Sequence, residues 1–147
     1  MHELYMKQAL VEAHKAANEE EVPVGAVIVY KGEIIARAHN QIKTLKDPTA
    51  HAEMIAITQA SAHLQNERLN DCDLYVTIEP CSMCVGAAVL GRMKRVIYGA
   101  NDPKTGACGS AVNLSEPALF NHTLEVISGI MEPECRTIIQ DFFLDKR

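Results

Sequence analysis

The chain has 147 residues, 48% of them hydrophobic and 22% charged, which suits one compact domain with a real core. It has no apolar run long enough to span a membrane, and its start, Met1-His2-Glu3-Leu4-Tyr5-Met6-Lys7, lacks the basic-then-apolar pattern of a secretory leader, so neither is expected. A net charge of −5 argues against a protein that coats nucleic acid non-specifically, and five cysteines, an odd number with two in a C-x-x-C, point to reduced thiols and a cytoplasmic setting.

Met6, Leu10, Ala13 and Ala17 recur at helical spacing, and Glu19-Glu20-Glu21 with Pro23 end that first helix. A hairpin follows: residues 24–30 are β-rich, Lys31-Gly32 is the turn, and 33–38 return. Residues 40–46 are expected to be a polar loop. Asp47-Pro48-Thr49 is a helix-start signal, with Asp47 or Thr49 as the cap of a helix from His51 to about Ala62 that buries Ile55, Ala56 and Ala60. A third strand is predicted over 73–78. A helix then opens at Pro80-Cys81 and stops near Gly91, followed by a fourth strand over 95–99. Residues 101–110 form a Gly-containing loop. A short helical piece around Pro117-Ala118-Leu119 leads to a fifth strand over 124–128, and a last helix from Pro133 is expected to bury Ile138, Ile139, Phe142 and Phe143. Strands alternating with helices after an antiparallel hairpin imply an α/β fold, a three-layer α/β/α domain around a five-stranded mixed sheet. In such sheets, sites form where strands end and helices begin.

Two segments at predicted helix starts carry chemistry. One is His51-Ala52-Glu53 and the other is Pro80-Cys81-Ser82-Met83-Cys84. Cys81 and Cys84, three apart, share one face of a first helical turn, where free N–H groups favour thiolates. His51 adds an imidazole. Three protein donors leave a tetrahedral zinc ion one open position for water, and Glu53 is a carboxylate placed to move that water's protons. Other readings stay open at this point. C-x-x-C between a strand and a helix also marks dithiol redox sites, and a structural zinc site would recruit a fourth ligand from Cys72, Cys108 or Cys135.

The pairing of His-x-Glu with Pro-Cys-x-x-Cys, together with three further segments, resembles the bacterial tRNA-specific adenosine deaminases of the cytidine-deaminase-like superfamily. Those segments are Glu21-Val22-Pro23-Val24-Gly25-Ala26-Val27, Asp102-Pro103-Lys104-Thr105-Gly106-Ala107-Cys108-Gly109-Ser110, and the late Asn121-His122 with Asp141-Phe142-Phe143. The resemblance covers nearly all of residues 1–147. It implies a single deaminase domain with one zinc per subunit on His51, Cys81 and Cys84. It also implies Glu53 as the proton carrier in hydrolysis of adenosine to inosine at the tRNA wobble position.

The same resemblance implies that Asn40 contacts a nucleotide splayed out of its loop, that Asp102 and Lys104 face RNA backbone or sugar, and that Phe142, Phe143 and Arg147 on the last helix approach the anticodon loop. It implies a homodimer as well, for which Val85, Val89, Leu90 and Met93 are exposed apolar candidates. From the residues alone, Asn40 is equally a strand-end cap, Asn101-Asp102-Pro103 a turn former, and Glu79 a holder of the turn before the cysteines. Arg92, Lys94 and Arg95 form a short basic cluster, and His39 is the remaining histidine to watch. Two other functions compete with the first: zinc deamination of a free base or nucleoside such as guanine or cytosine, and a zinc-stabilised binding module or dithiol redox protein.

Overall fold

The structure is a computed structural model, and it describes residues 1–116 and 120–146. The helical piece expected around Pro117-Ala118-Leu119, and Arg147, lie outside the described residues. In chain order the elements are α1 (His2–Asn18), β1 (Gly25–Tyr30), β2 (Glu33–His39), α2 (Ile42–Leu45), α3 (Ala52–Leu64), β3 (Cys72–Ile78), α4 (Ser82–Leu90), β4 (Arg95–Ala100), β5 (Glu125–Ile127) and α5 (Glu132–Asp145). The strands form one sheet in the order β2-β1-β3-β4-β5. β1 is antiparallel to both β2 and β3, whereas β3, β4 and β5 run parallel. This is the three-layer α/β/α arrangement with a five-stranded mixed sheet that the sequence implies.

The layers follow from the alternation of side chains along the strands. Ala26, Ile28, Leu74, Val76, Val96 and Tyr98 face one side and pack against Ala52, Ala56 and Ala60 of α3 and Val85, Ala88 and Val89 of α4. Val27, Val29, Tyr75 and Ile97 face the other side, against Tyr5, Met6, Ala9 and Leu10 of α1 and Cys135 of α5. Because both faces are covered, β1 and β3 read as nearly continuous apolar runs. α1 lies so close on β1 that a Cβ at Gly25 would stand 1.9 Å from the Ala9 carbonyl oxygen.

Several local expectations are corrected. Residues 40–46 are not all loop, because α2 forms within them. Neither Asp47 nor Thr49 caps α3: His51 is the N-cap residue, and Asp47 Oδ1 instead accepts from the Thr49 N–H and hydroxyl. Of the side chains expected inside the last helix, Phe143 is 49% exposed and Phe142 only partly buried; Cys135 is the buried residue of α5. Val85, Val89 and Met93 belong to the core, leaving Leu90, at 82% exposure, as the surface member of that group.

Candidate active site

The parallel strands β3 and β4 end side by side, and a cavity of about 500 Å³ opens at those ends. Its floor is made by the first turns of α3 and α4. His51 is the N-cap of α3 and Cys81 the N-cap of α4, both with extended backbone, so their side chains turn back over the helix starts rather than along the helix sides. Glu53 and Cys84 follow within the first turn of each helix. The His51 Nδ1 lies 3.7 Å from Cys81 Sγ and 3.6 Å from Cys84 Sγ, and the two sulfurs are 3.8 Å apart. Among the described residues these three form the one group of donors close enough to hold a metal ion. The free thiols of Cys72, Cys108 and Cys135 stand outside that group, pushed up to about 11, 12 and 12, in each case chiefly by burial.

The Cys81 thiol is pulled down to about 3, first by its hydrogen bond with Cys84 and then by the one with His51. The His51 imidazole is held above its ordinary value, first by Cys81, and Cys84 is pushed up by Cys81 and then by burial. Glu53 is 3% exposed, and burial drives its carboxyl above the usual range. Its Oε1 is the one buried side-chain oxygen or nitrogen among the described residues with no hydrogen-bond partner.

Asn40 closes the wall beside His51. Its Oδ1 accepts from the Ala52 N–H at 2.8 Å, which satisfies a free donor of the α3 start that His51 leaves unpaired. A backbone N–H can only donate, so the oxygen of the amide faces the helix and its NH2 is left for other acceptors. Asn40 is therefore a helix-start partner and a cavity residue at once.

A model of the MafB19-like deaminase family matches residues 1–147. A tRNA-specific adenosine deaminase of Bacillus subtilis (strain 168) is 51% identical to this chain over 145 residues, covering 99% of this chain and 90% of that one. This chain belongs to the tRNA-specific adenosine deaminases. Another member, from Agrobacterium fabrum, is 46% identical over 97% of this chain. A solved structure from a study of A-to-I editing by tRNA:A34 deaminases at the wobble position superposes with a TM-score of 0.85 at 45% identity, covering 92% of this chain and 98% of that one. A guanine deaminase structure from Bacillus subtilis is also similar, with a TM-score of 0.66 at 45% identity over 69% of this chain and 65% of that one.

Against this deaminase frame the remaining sequence candidates divide. Asp102, Lys104 and Phe143 line the cavity together with Asn40, His51, Glu53 and Cys81, while Cys84 lies beneath it. Phe142 does not line it. One residue along a helix is a turn of about 100°, which carries Phe142 round to a separate groove between α1 and α5. Asp102 is largely occupied within its own loop, accepting from the Lys104 and Thr105 N–H groups and the Thr105 hydroxyl.

His39 faces away from Asn40, bridging Glu12 at 3.2 Å and Glu19 at 3.1 Å on the α1 side. Of the basic cluster, Arg95 is paired with Asp73 at the opposite end of β4 from the cavity. The sequence reading missed Arg136 and Gln140, which with Ile139 and Phe143 present one face of α5 to the cavity. Their spacing of three and four residues was the available signal.

Proposed function

We propose that this protein hydrolytically deaminates adenosine to inosine at the wobble position of a tRNA anticodon, with one zinc ion held by His51, Cys81 and Cys84. The donor distances support zinc. Bond lengths near 2.3 Å to sulfur and 2.0–2.1 Å to nitrogen at tetrahedral angles require edges of about 3.8 Å (S···S) and about 3.6 Å (N···S), matching the 3.8 Å and 3.6–3.7 Å found. When bound, zinc supplies the charge that makes water a nucleophile near neutral pH.

The observation that carries the reading is the partnerless Oε1 of Glu53. A buried acceptor left unpaired costs roughly 1–3 kcal/mol. A structural metal site or a dithiol redox site gives that cost no return, whereas a hydrolytic deaminase needs a carboxylate free to trade protons at this spot. The reaction adds the oxygen of water to C6 of adenine and breaks the bond from C6 to the exocyclic nitrogen. Glu53 takes a proton from the water and delivers it to N1, then takes the proton of the new C6 hydroxyl and gives it to the exocyclic amine, which leaves as ammonia as the C6 carbonyl forms. The Asn40 NH2 is the donor for an acceptor on the base. Lys104, Asp102 and Phe143 line the side from which the RNA approaches, and Phe142, packed edge-to-face on Phe143, lines the neighbouring groove between α1 and α5.

The relatives' names support tRNA as the substrate. Among the described residues no helix is long and apolar enough to cross a membrane. Action on tRNA would put the protein in the cytoplasm. A homodimer pairing through α4 is supported by the exposure of Leu90.

The test is an anticodon stem-loop carrying adenosine at the wobble position, assayed beside free adenosine, guanine and cytidine, with inosine or ammonia as the readout. Inosine from the stem-loop alone is expected. Turnover of guanine alone would place the chain with the guanine deaminase it also resembles. Glu53→Gln should retain zinc and lose about 10²- to 10⁴-fold in turnover; loss of zinc in that variant would make Glu53 a ligand and defeat the mechanism.

A further inference from the structure

Glu79 sits between the end of β3 and the cysteine turn, 2% exposed, and the chemistry above makes no use of it. Four donors converge on its carboxylate. The Asp102 N–H donates to Oε1 at 3.0 Å, together with the Ser110 hydroxyl. The Cys108 and Ser110 N–H groups donate to Oε2 at 2.9 and 3.1 Å. None of the ion pairs among the described residues includes it. Three of the four donors are main-chain groups of loop 101–110, so the carboxylate holds the path of that loop rather than any one side chain.

The fit is close on the loop side as well. A Cβ at Gly106 would lie 2.3 Å from the Glu79 carboxyl carbon and 2.5 Å from each oxygen. The loop is laced to the metal-binding turn next door by the Ala107 N–H to the Pro80 carbonyl at 2.9 Å and by a bridge between Cys81 and Gly106. One anion thus stands between the turn that presents Cys81 and the loop that presents Lys104.

We propose, building on the RNA-deaminase reading, that Glu79 is a positioning residue for substrate binding. It fixes loop 101–110 so that Lys104 and its neighbours meet the RNA in a preset geometry, and it does so independently of metal binding. The role needs a carboxylate. Glutamine would offer one oxygen to four donors and turn its NH2 toward the rest, leaving N–H facing N–H. An interaction that orders a binding loop without touching the reacting atoms appears in KM and not in kcat.

The experiment compares Glu79→Gln and Gly106→Ala with wild type. The second variant leaves Glu79 in place and pushes the loop off it, so the idea stays testable if the first folds poorly. Steady-state kinetics on the stem-loop, zinc content, and amide hydrogen exchange at Asp102, Cys108 and Ser110 are read for each. Both variants should raise KM about tenfold or more with kcat within about threefold. Zinc should stay stoichiometric and the three amides should exchange faster. Loss of zinc, or a fall in kcat at unchanged KM, would make Glu79 part of the metal scaffold and overturn the proposal, as would wild-type kinetics in both variants. Wild-type failure on the stem-loop would instead defeat the RNA-deaminase reading, and hydrogen exchange, which needs no substrate, would still report whether Glu79 holds the loop.

Discussion

The floor of the cavity and its two rims are held in place by different forces. The floor is the start of two helices whose next turns are packed into the core through Ala52, Ala56, Val85 and Ala88. The donor atoms inherit their positions from backbone that apolar packing has already fixed. The rims have no such backing. α2 buries none of its own side chains, and loop 101–110 is mostly exposed. Each is tied down by one buried glutamate that receives main-chain N–H groups. Glu21 accepts from Lys43 and Thr44 on one side, and Glu79 accepts from loop 101–110 on the other. The three candidate metal donors therefore depend on hydrophobic burial, while the rims of the cavity depend on hydrogen bonds to buried glutamates. Substitutions and pH should separate the two.

The largest effect is expected from breaking the floor. Cys84→Ala should drop the metal content far below one per chain and cut turnover by on the order of 10⁴-fold or more, since the nucleophile would lose its activation. Metal analysis beside the stem-loop assay checks this, and a variant that stays active with its metal would remove Cys84 from the donor set.

Asn40 spans both regimes and splits them. Asn40→Ala should cost about 1 kcal/mol, as losing the side-chain acceptor at a helix start does, and should also weaken substrate binding. Asn40→Asp keeps an acceptor for the Ala52 N–H but replaces the NH2 with an oxygen, so denaturant midpoints near wild type with turnover still lost are expected. Wild-type turnover in Asn40→Asp would show that Asn40 serves the fold alone.

The smallest effect is a pH dependence at the α2 rim. Burial pushes the Glu21 carboxyl up, but the hydrogen bonds from Thr44 and Lys43 outweigh it and leave the group below its ordinary value of 4.5. A carboxyl whose folded value is depressed adds stability above its unfolded value, and that stability is lost as pH falls through the folded one. Thermal melts of wild type and Glu21→Gln should differ at neutral pH and converge as pH falls below 4.5 and through the lower folded value. A gap that widens toward low pH would reverse the assignment.

The same division explains what could be read from the sequence. The floor was legible because zinc-type donors at short, fixed spacings beside helix starts have few other uses, and the layer order followed from apolar periodicity. The rims were not, since their anchors act at long range. The acceptor that caps the start of α3 is Asn40, 12 residues upstream of its partner, whereas the local signal pointed to Asp47 and Thr49. Nothing in Ile42–Leu45 announces a helix, because the group that satisfies its first N–H donors, Glu21, is 22 and 23 residues away. Apolar content also misled where only direction decides: Phe142 and Phe143 are neighbours in sequence but face different grooves, and Val85, Val89 and Met93 turn inward while Leu90 turns out.

The His51 ring reaches its two sulfur partners across 30 and 33 residues of chain, from a helix that follows the opening hairpin to one that follows β3. The triad is brought together by the pairing of β3 with β1 and the packing of both helices on the same face of the sheet. An ion held there is consequently a clasp as well as a reagent, shutting a long loop whose ends an unfolded chain would have to bring together at an entropic cost. Removing it with a chelator should lower the unfolding temperature of the whole domain, while the floor, fixed by core packing, keeps its shape in the metal-free protein.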